Sequence, residues 1–140
     1  MNATTSDRTA GAAGQPAAAA GLSVVVPVYN EAPGLPKIHA RLAEVARALR
    51  RKRGLAIEVI YVDDGSRDDS YAVATALPAE AMDVQAISLS RNFGKEAALL
   101  AGLEHARPGA VLFMDADGQH PPELIETLVG HWLDGGYDVV

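Results

Sequence analysis

The sequence predicts an α/β fold, a mostly parallel sheet with helices on both faces. Three observations carry this. Short apolar runs alternate with segments of helical periodicity along the whole foldable part of the chain. The first run, Leu22 to Val28 (LSVVVPV), is too continuously apolar for a strand with one wet face. Every polar cluster falls just after a predicted strand. Strands buried on both sides belong to sheets covered by two layers. Regular β-α alternation gives parallel strands joined by right-handed crossovers.

Residues 1–20 mix alanine with Gly, Ser, Thr, Asp and Arg, a composition that predicts a disordered N-terminal tail. The Ala17–Ala20 run has no Leu- or Val-rich stretch before it, so the segment does not read as a secretory signal. The fold is therefore expected within 21–140. After the first strand, Asn30, Pro33, Gly34 and Pro36 mark a loop. Ile38, Leu42, Val45 and Leu49 follow at helical spacing, and Gly54 stops that helix. Ile57 to Val62 is the second strand, Asp63-Asp64-Gly65-Ser66 a turn, and Asp68 or Asp69 a cap for a helix to Leu77. Val84 to Leu89 is the third strand, followed by a loop and an Ala/Leu-rich helix from Lys95 to His105. Ala110 to Met114 is the fourth strand. Leu124, Ile125, Leu128, Val129, Trp132 and Leu133 give the next helix its apolar face, and Tyr137 to Val140 begins a fifth strand. With the strands in the order 3-2-1-4, the clusters after strands one and four become neighbours across a crevice, where α/β sheets bind ligands.

Bulk properties exclude several chemistries. With no cysteine among 140 residues, disulfides, thiolate catalysis and Cys-based zinc sites are ruled out. A net charge of −6 disfavours a nucleic-acid backbone as partner. It does not disfavour a nucleotide, because a divalent ion can stand between carboxylates and phosphates. No stretch reaches the roughly 18 apolar residues of a membrane span.

Four strand-end clusters carry candidate chemistry. In Met114-Asp115-Ala116-Asp117-Gly118-Gln119-His120, the two aspartates are two residues apart beyond a buried strand. In extended backbone such residues point to one side. Asp115, Asp117 and the Gln119 amide oxygen are then hard oxygen donors suited to Mg²⁺ or Mn²⁺; the bland alternative is a solvated loop capping the next helix. Asp63-Asp64-Gly65-Ser66 offers carboxylates to a base N–H or ribose hydroxyls, or is a plain Asp-Gly turn. In Val26-Pro27-Val28-Tyr29-Asn30-Glu31, Tyr29 offers a face to a base and Glu31 an acceptor to a ribose, unless Tyr29 is core. Arg91-Asn92-Phe93-Gly94-Lys95 opens a helix with two cations, which suits either an anion or solvent. His39, His105 and His131 fall within helices and read as surface or partly buried, while His120 stands beside the acidic motif. A dinucleotide fold would need G-x-G-x-x-G after strand one, and a P-loop a Ser or Thr after its lysine; neither is present. An aspartyl-phosphate enzyme would need Asp where this chain has Asn30-Glu31.

Taken together, VVVPVYNE, VDDGSRDDS, LSRNFGKEAALLAGLEHA and FMDADGQHPPELI resemble the family 2 glycosyltransferases of the GT-A fold. The nearest branch resembles dolichol-phosphate mannosyltransferase and the bacterial polyprenyl-phosphate sugar transferases. The resemblance implies a GT-A, Rossmann-like sheet over 21–140 that forms the nucleotide-sugar-binding half of the domain. It implies donor contacts at Pro27, Tyr29, Glu31, Val62, Asp63, Asp64, Asp115, Ala116 and Asp117. Phosphate or donor contacts fall to Arg91, Asn92 and Lys95. Mg²⁺ or Mn²⁺ would be held by Asp117, Gln119 and Asp115. Gly118 stands where many relatives have Leu. The donor implied is a UDP- or GDP-hexose and the acceptor a polyprenyl or dolichyl phosphate, at the cytoplasmic face of a membrane that only other segments would touch. The acceptor half and its general base are expected outside this chain, whose open sheet edge invites a homodimer. Two other readings fit the residues less well: a nucleotide-sugar-binding module without turnover, and a nucleotidyltransferase, which would need a basic glycine-rich loop after strand one.

Overall fold

The computed structural model describes residues 3–8, 21–107, 109–117 and 121–135. Five strands form one sheet: β1 (Ala3–Arg8), β2 (Gly21–Val28), β3 (Ile57–Asp63), β4 (Asp83–Leu89) and β5 (Gly109–Phe113). Four helices connect or follow them: α1 (Leu35–Arg53), α2 (Ser70–Ala76), α3 (Lys95–His105) and α4 (Leu124–Gly135). The strand order is β1-β4-β3-β2-β5. The pairs β4-β3, β3-β2 and β2-β5 are parallel, which is the order expected from the sequence, with the switch point between β2 and β5.

One strand was not expected. Ala3–Arg8 falls in the stretch whose composition predicts a disordered tail, yet it pairs antiparallel with β4, from Ala3 opposite Leu89 to Arg8 opposite Val84. Its source is tertiary: the outer edge of β4 presents unpaired N–H and C=O groups, and any extended segment can satisfy them. The rest of that expected tail, and the expected strand at 137–140, lie outside the described residues.

The two sheet faces are unequally covered. One core holds Val24, Val26, Val59, Tyr61, Val84 and Ala86 beneath α1, α2 and α4. The other holds Val25, Ile60, Val62, Ile87 and Leu89 beneath α3. Alternation along each strand sends neighbouring valines to opposite cores. α3 lies close because residue 102 is glycine; a Cβ there would come within 2.3 Å of the Val25 Cγ1. α1 begins with Pro36 in its first turn and ends at Gly54 (φ 64°), after four basic residues that complement the helix dipole.

Two buried polar clusters are internally satisfied. His39 is buried, against the expectation of a surface or partly buried ring. Its Nε2 donates to the Pro78 carbonyl at 2.7 Å, and its Nδ1 is hydrogen-bonded to the Tyr61 hydroxyl at 2.8 Å. At the N-terminal end of β3, the buried Glu58 carboxylate accepts from Ser23 Oγ, Gln85 Nε2 and the Arg107 amide.

Candidate functional site

A cleft of about 510 Å³ opens at the carboxyl ends of the strands. Its walls come from four segments: Pro27, Val28, Tyr29 and Glu31 at the end of β2 and just beyond it, Asp64 after β3, Asn92, Gly94 and Lys95 after β4, and Asp115, Ala116 and Asp117 after β5. Nine of the residues singled out from sequence line it together: Pro27, Tyr29, Glu31, Asp64, Asn92, Lys95, Asp115, Ala116 and Asp117. Tyr29 is 41% exposed, so it is a cleft wall and not core. The remaining described candidates stand elsewhere. Val62 is wholly buried in the α3-side core. Asp63 is buried behind its own turn. The Arg91 guanidinium lies 4.7 Å from the centre of the Phe93 ring. Gln119 and His120 lie outside the described residues.

The first three segments are stitched into one unit. Asn30 adopts a left-handed conformation (φ 53°), which asparagine tolerates better than most residues. In it, the Asn30 amide donates to Ser66 Oγ (2.9 Å) and its Oδ1 accepts from the Arg67 amide (2.8 Å). The Glu31 amide donates to Ser70 Oγ at 2.8 Å. Asp64 spends both oxygens on the next loop, accepting from the amides of Phe93 (2.8 Å) and Gly94 (3.0 Å). Gly65 (φ 72°) permits this contact, since a Cβ there would come within 2.4 Å of the Arg91 and Asn92 backbone. Sequence reasoning assigned no role to Asn30, Ser66 or Ser70; only the Asp-Gly turn signal hinted at them.

The cleft is strongly acidic. Burial raises the proton affinity of Glu31; the Tyr29 amide opposes this, and Asp117, Asp115 and Asp68 push it further up. Burial likewise raises Asp63, against the hydrogen bonds from Ser66, and its Oδ1 has no hydrogen-bond partner among the described residues. Asp68 moves the other way because the Ser70 hydroxyl bonds to it. Asp115 is ion-paired with Lys95.

Among the described residues, no three His, Cys, Asp or Glu side chains group closely enough to cage a metal ion. Asp115 and Asp117 do line one cleft. A pair of hard carboxylates fits an ion that completes its shell with phosphate oxygens and water, the usual manner of Mg²⁺ at nucleotide sites.

This sheet order, with the cleft at its switch point, defines a Rossmann-like α/β domain with its ligand crevice at the strand ends. The chain belongs to glycosyl transferase family 2, whose model matches residues 23–140. It is 44% identical over 119 residues to an uncharacterized glycosyltransferase of Synechocystis sp., covering 85% of this chain and 36% of that one. It is 45% identical over 120 residues to the undecaprenyl-phosphate 4-deoxy-4-formamido-L-arabinose transferase of Pseudomonas paraeruginosa, covering 85% and 34%. The chain thus spans about a third of the length of the curated relatives it matches. Among solved structures, S. aureus TarS (residues 1–349) superposes with a TM-score of 0.59 at 24% identity, over 79% of this chain and 32% of that one. That likeness establishes the GT-A fold. No helix among the described residues is long and apolar enough to cross a membrane.

Proposed function

We propose that residues 21–140 form the donor-binding half of an enzyme that transfers a hexose from a UDP- or GDP-sugar to a polyprenyl phosphate. The observation that carries this is the convergence of Tyr29, Glu31, Asp115, Asp117 and Lys95 on one cleft at the switch point. Tyr29 stacks the base, and Glu31 accepts from the ribose. The Asp64 carboxylate, which accepts from two amides, acts by holding the loop that presents Asn92 and Lys95. Asp117 and Asp115, which line the cleft, would hold Mg²⁺ or Mn²⁺, with Gln119 the further ligand that the sequence suggests. When bound, that ion neutralises charge on the departing nucleoside diphosphate. The polyprenyl-phosphate acceptor rests on the relatives named for undecaprenyl phosphate. It sets the full-length enzyme at the cytoplasmic face of a membrane. No cleft residue is assigned as general base, and the 140-residue chain alone is expected to bind donor nucleotide without transferring sugar.

The test is calorimetric titration of the chain with UDP and with GDP, in Mn²⁺ and then in EDTA. Binding is expected in Mn²⁺ and lost in EDTA. Asp117→Ala should weaken it by about tenfold or more, the scale of one charge-assisted contact. Absence of binding by a chain whose circular dichroism shows it folded would refute the donor site.

A further inference from the structure

Lys95 is the one cation among the described residues lining the cleft, which it shares with Glu31, Asp64, Asp115 and Asp117. It is the first residue of α3, and the preceding amides of Phe93 and Gly94 are anchored on Asp64. Its stem therefore starts from a fixed point while its ammonium reaches into solvent: the Lys95 side chain is 58% exposed and that of its partner Asp115 is 22% exposed. An ion pair this exposed is weak. A lysine head on a four-carbon stem re-aims easily.

We propose that Lys95 is an exchangeable counter-cation, holding Asp115 until a divalent ion takes it and then passing to a phosphate oxygen. The proposal rests on the donor-site reading above and adds a coupling to it. Like charges on four carboxylates would repel a nucleoside diphosphate, and a bare divalent ion must compete with the ammonium for Asp115. When ion and diphosphate arrive together, the ammonium gains a new anionic partner and Asp115 is released to the ion. Each ligand then favours the other, because the same lysine opposes the ion alone and supports the pair.

The experiment compares wild type with Lys95→Met and Lys95→Arg, using Mn²⁺ alone followed by electron paramagnetic resonance, then UDP and GDP at saturating Mn²⁺. Melting curves establish that each variant is folded, and Lys95→Gln replaces Lys95→Met if the latter is not. Lys95→Met should bind Mn²⁺ alone about two- to fivefold more tightly, the strength of an exposed ion pair removed. It should bind nucleotide with Mn²⁺ about ten- to a hundredfold more weakly, the loss of one charged hydrogen bond. Lys95→Arg should stay near wild type in both. Mn²⁺ affinity that is unchanged, weaker or undetectable in the neutral variant overturns the exchange. If wild type binds no nucleotide, the donor-site reading fails instead, while the Mn²⁺-only comparison still decides whether Lys95 and the ion compete for Asp115.

Discussion

Glu31 illustrates how single residues in this cleft trade stability for chemistry. Its carboxyl is held above the usual range by burial and by Asp117, Asp115 and Asp68. The folded state therefore binds its proton more tightly than the unfolded state does. The charged form costs stability at neutral pH, and that cost is relieved as pH falls through the raised folded value toward the ordinary one. Glu31→Gln keeps an oxygen for the Tyr29 amide and removes the charge. It should raise stability at pH 7 slightly, a gain that solvent screening keeps small and that a rise in Tm would read. It should also flatten the stability gain on acidification, which thermal melts from pH 8 to pH 5 would read. An unchanged slope would mean that Glu31 is not the source, leaving Asp63, which is raised for the same reason. At this scale the sequence was partly legible. The D-x-D pair and Glu31 could be placed because strand ends and i, i+2 spacing are local properties. The role of Asp64 could not, because its partners are amides 29 and 30 residues further on.

At the scale of elements, the tightest constraint is the seat of α3 on β2. Gly102→Ala would drive a methyl into Val25, which is wholly buried. Overpacking of this kind costs about 1–3 kcal/mol, and the better helix propensity of alanine returns about 1 kcal/mol. A net loss of about 0–2 kcal/mol is expected in urea unfolding. In a Val25→Ala background the same substitution should cost less or become neutral, and an equal cost in both backgrounds would refute the steric account. The strands themselves were readable because continuous apolar runs such as VVVPV and IEVIYV have no other stable place than a sheet covered twice. The burial of His39 was foreshadowed by its place beside Ile38 on the face shared with Leu35 and Leu42. What tipped it inward is a pair of partners, Tyr61 and the Pro78 carbonyl, that no helical spacing reveals.

For the molecule as a whole, edges matter. β1 covers the outer edge of β4 through six residue pairs. Removing residues 1–8 should expose that edge and produce concentration-dependent association in sedimentation velocity relative to the intact chain. Identical monomeric behaviour of both would show that β1 contributes nothing to solubility. The sequence ATTSDR has no apolar alternation, so it reads as tail; its structure belongs to the partner strand and not to its own propensity. The bonds running from Asn30 and Glu31 to Ser66, Arg67 and Ser70, and from Asp64 to Phe93 and Gly94, bear on how such domains can be recombined. A chimaera spliced between residues 30 and 94 keeps the backbone N–H donors but retains these bonds only where both parents supply the side-chain acceptors at 30, 64, 66 and 70. Crossovers placed after Lys95, within α3 or its exit, transplant the laced segments intact. Residues 30–94 are therefore exchanged between relatives as one 65-residue block, which keeps all of these bonds within a single parent, and not as three separate loops.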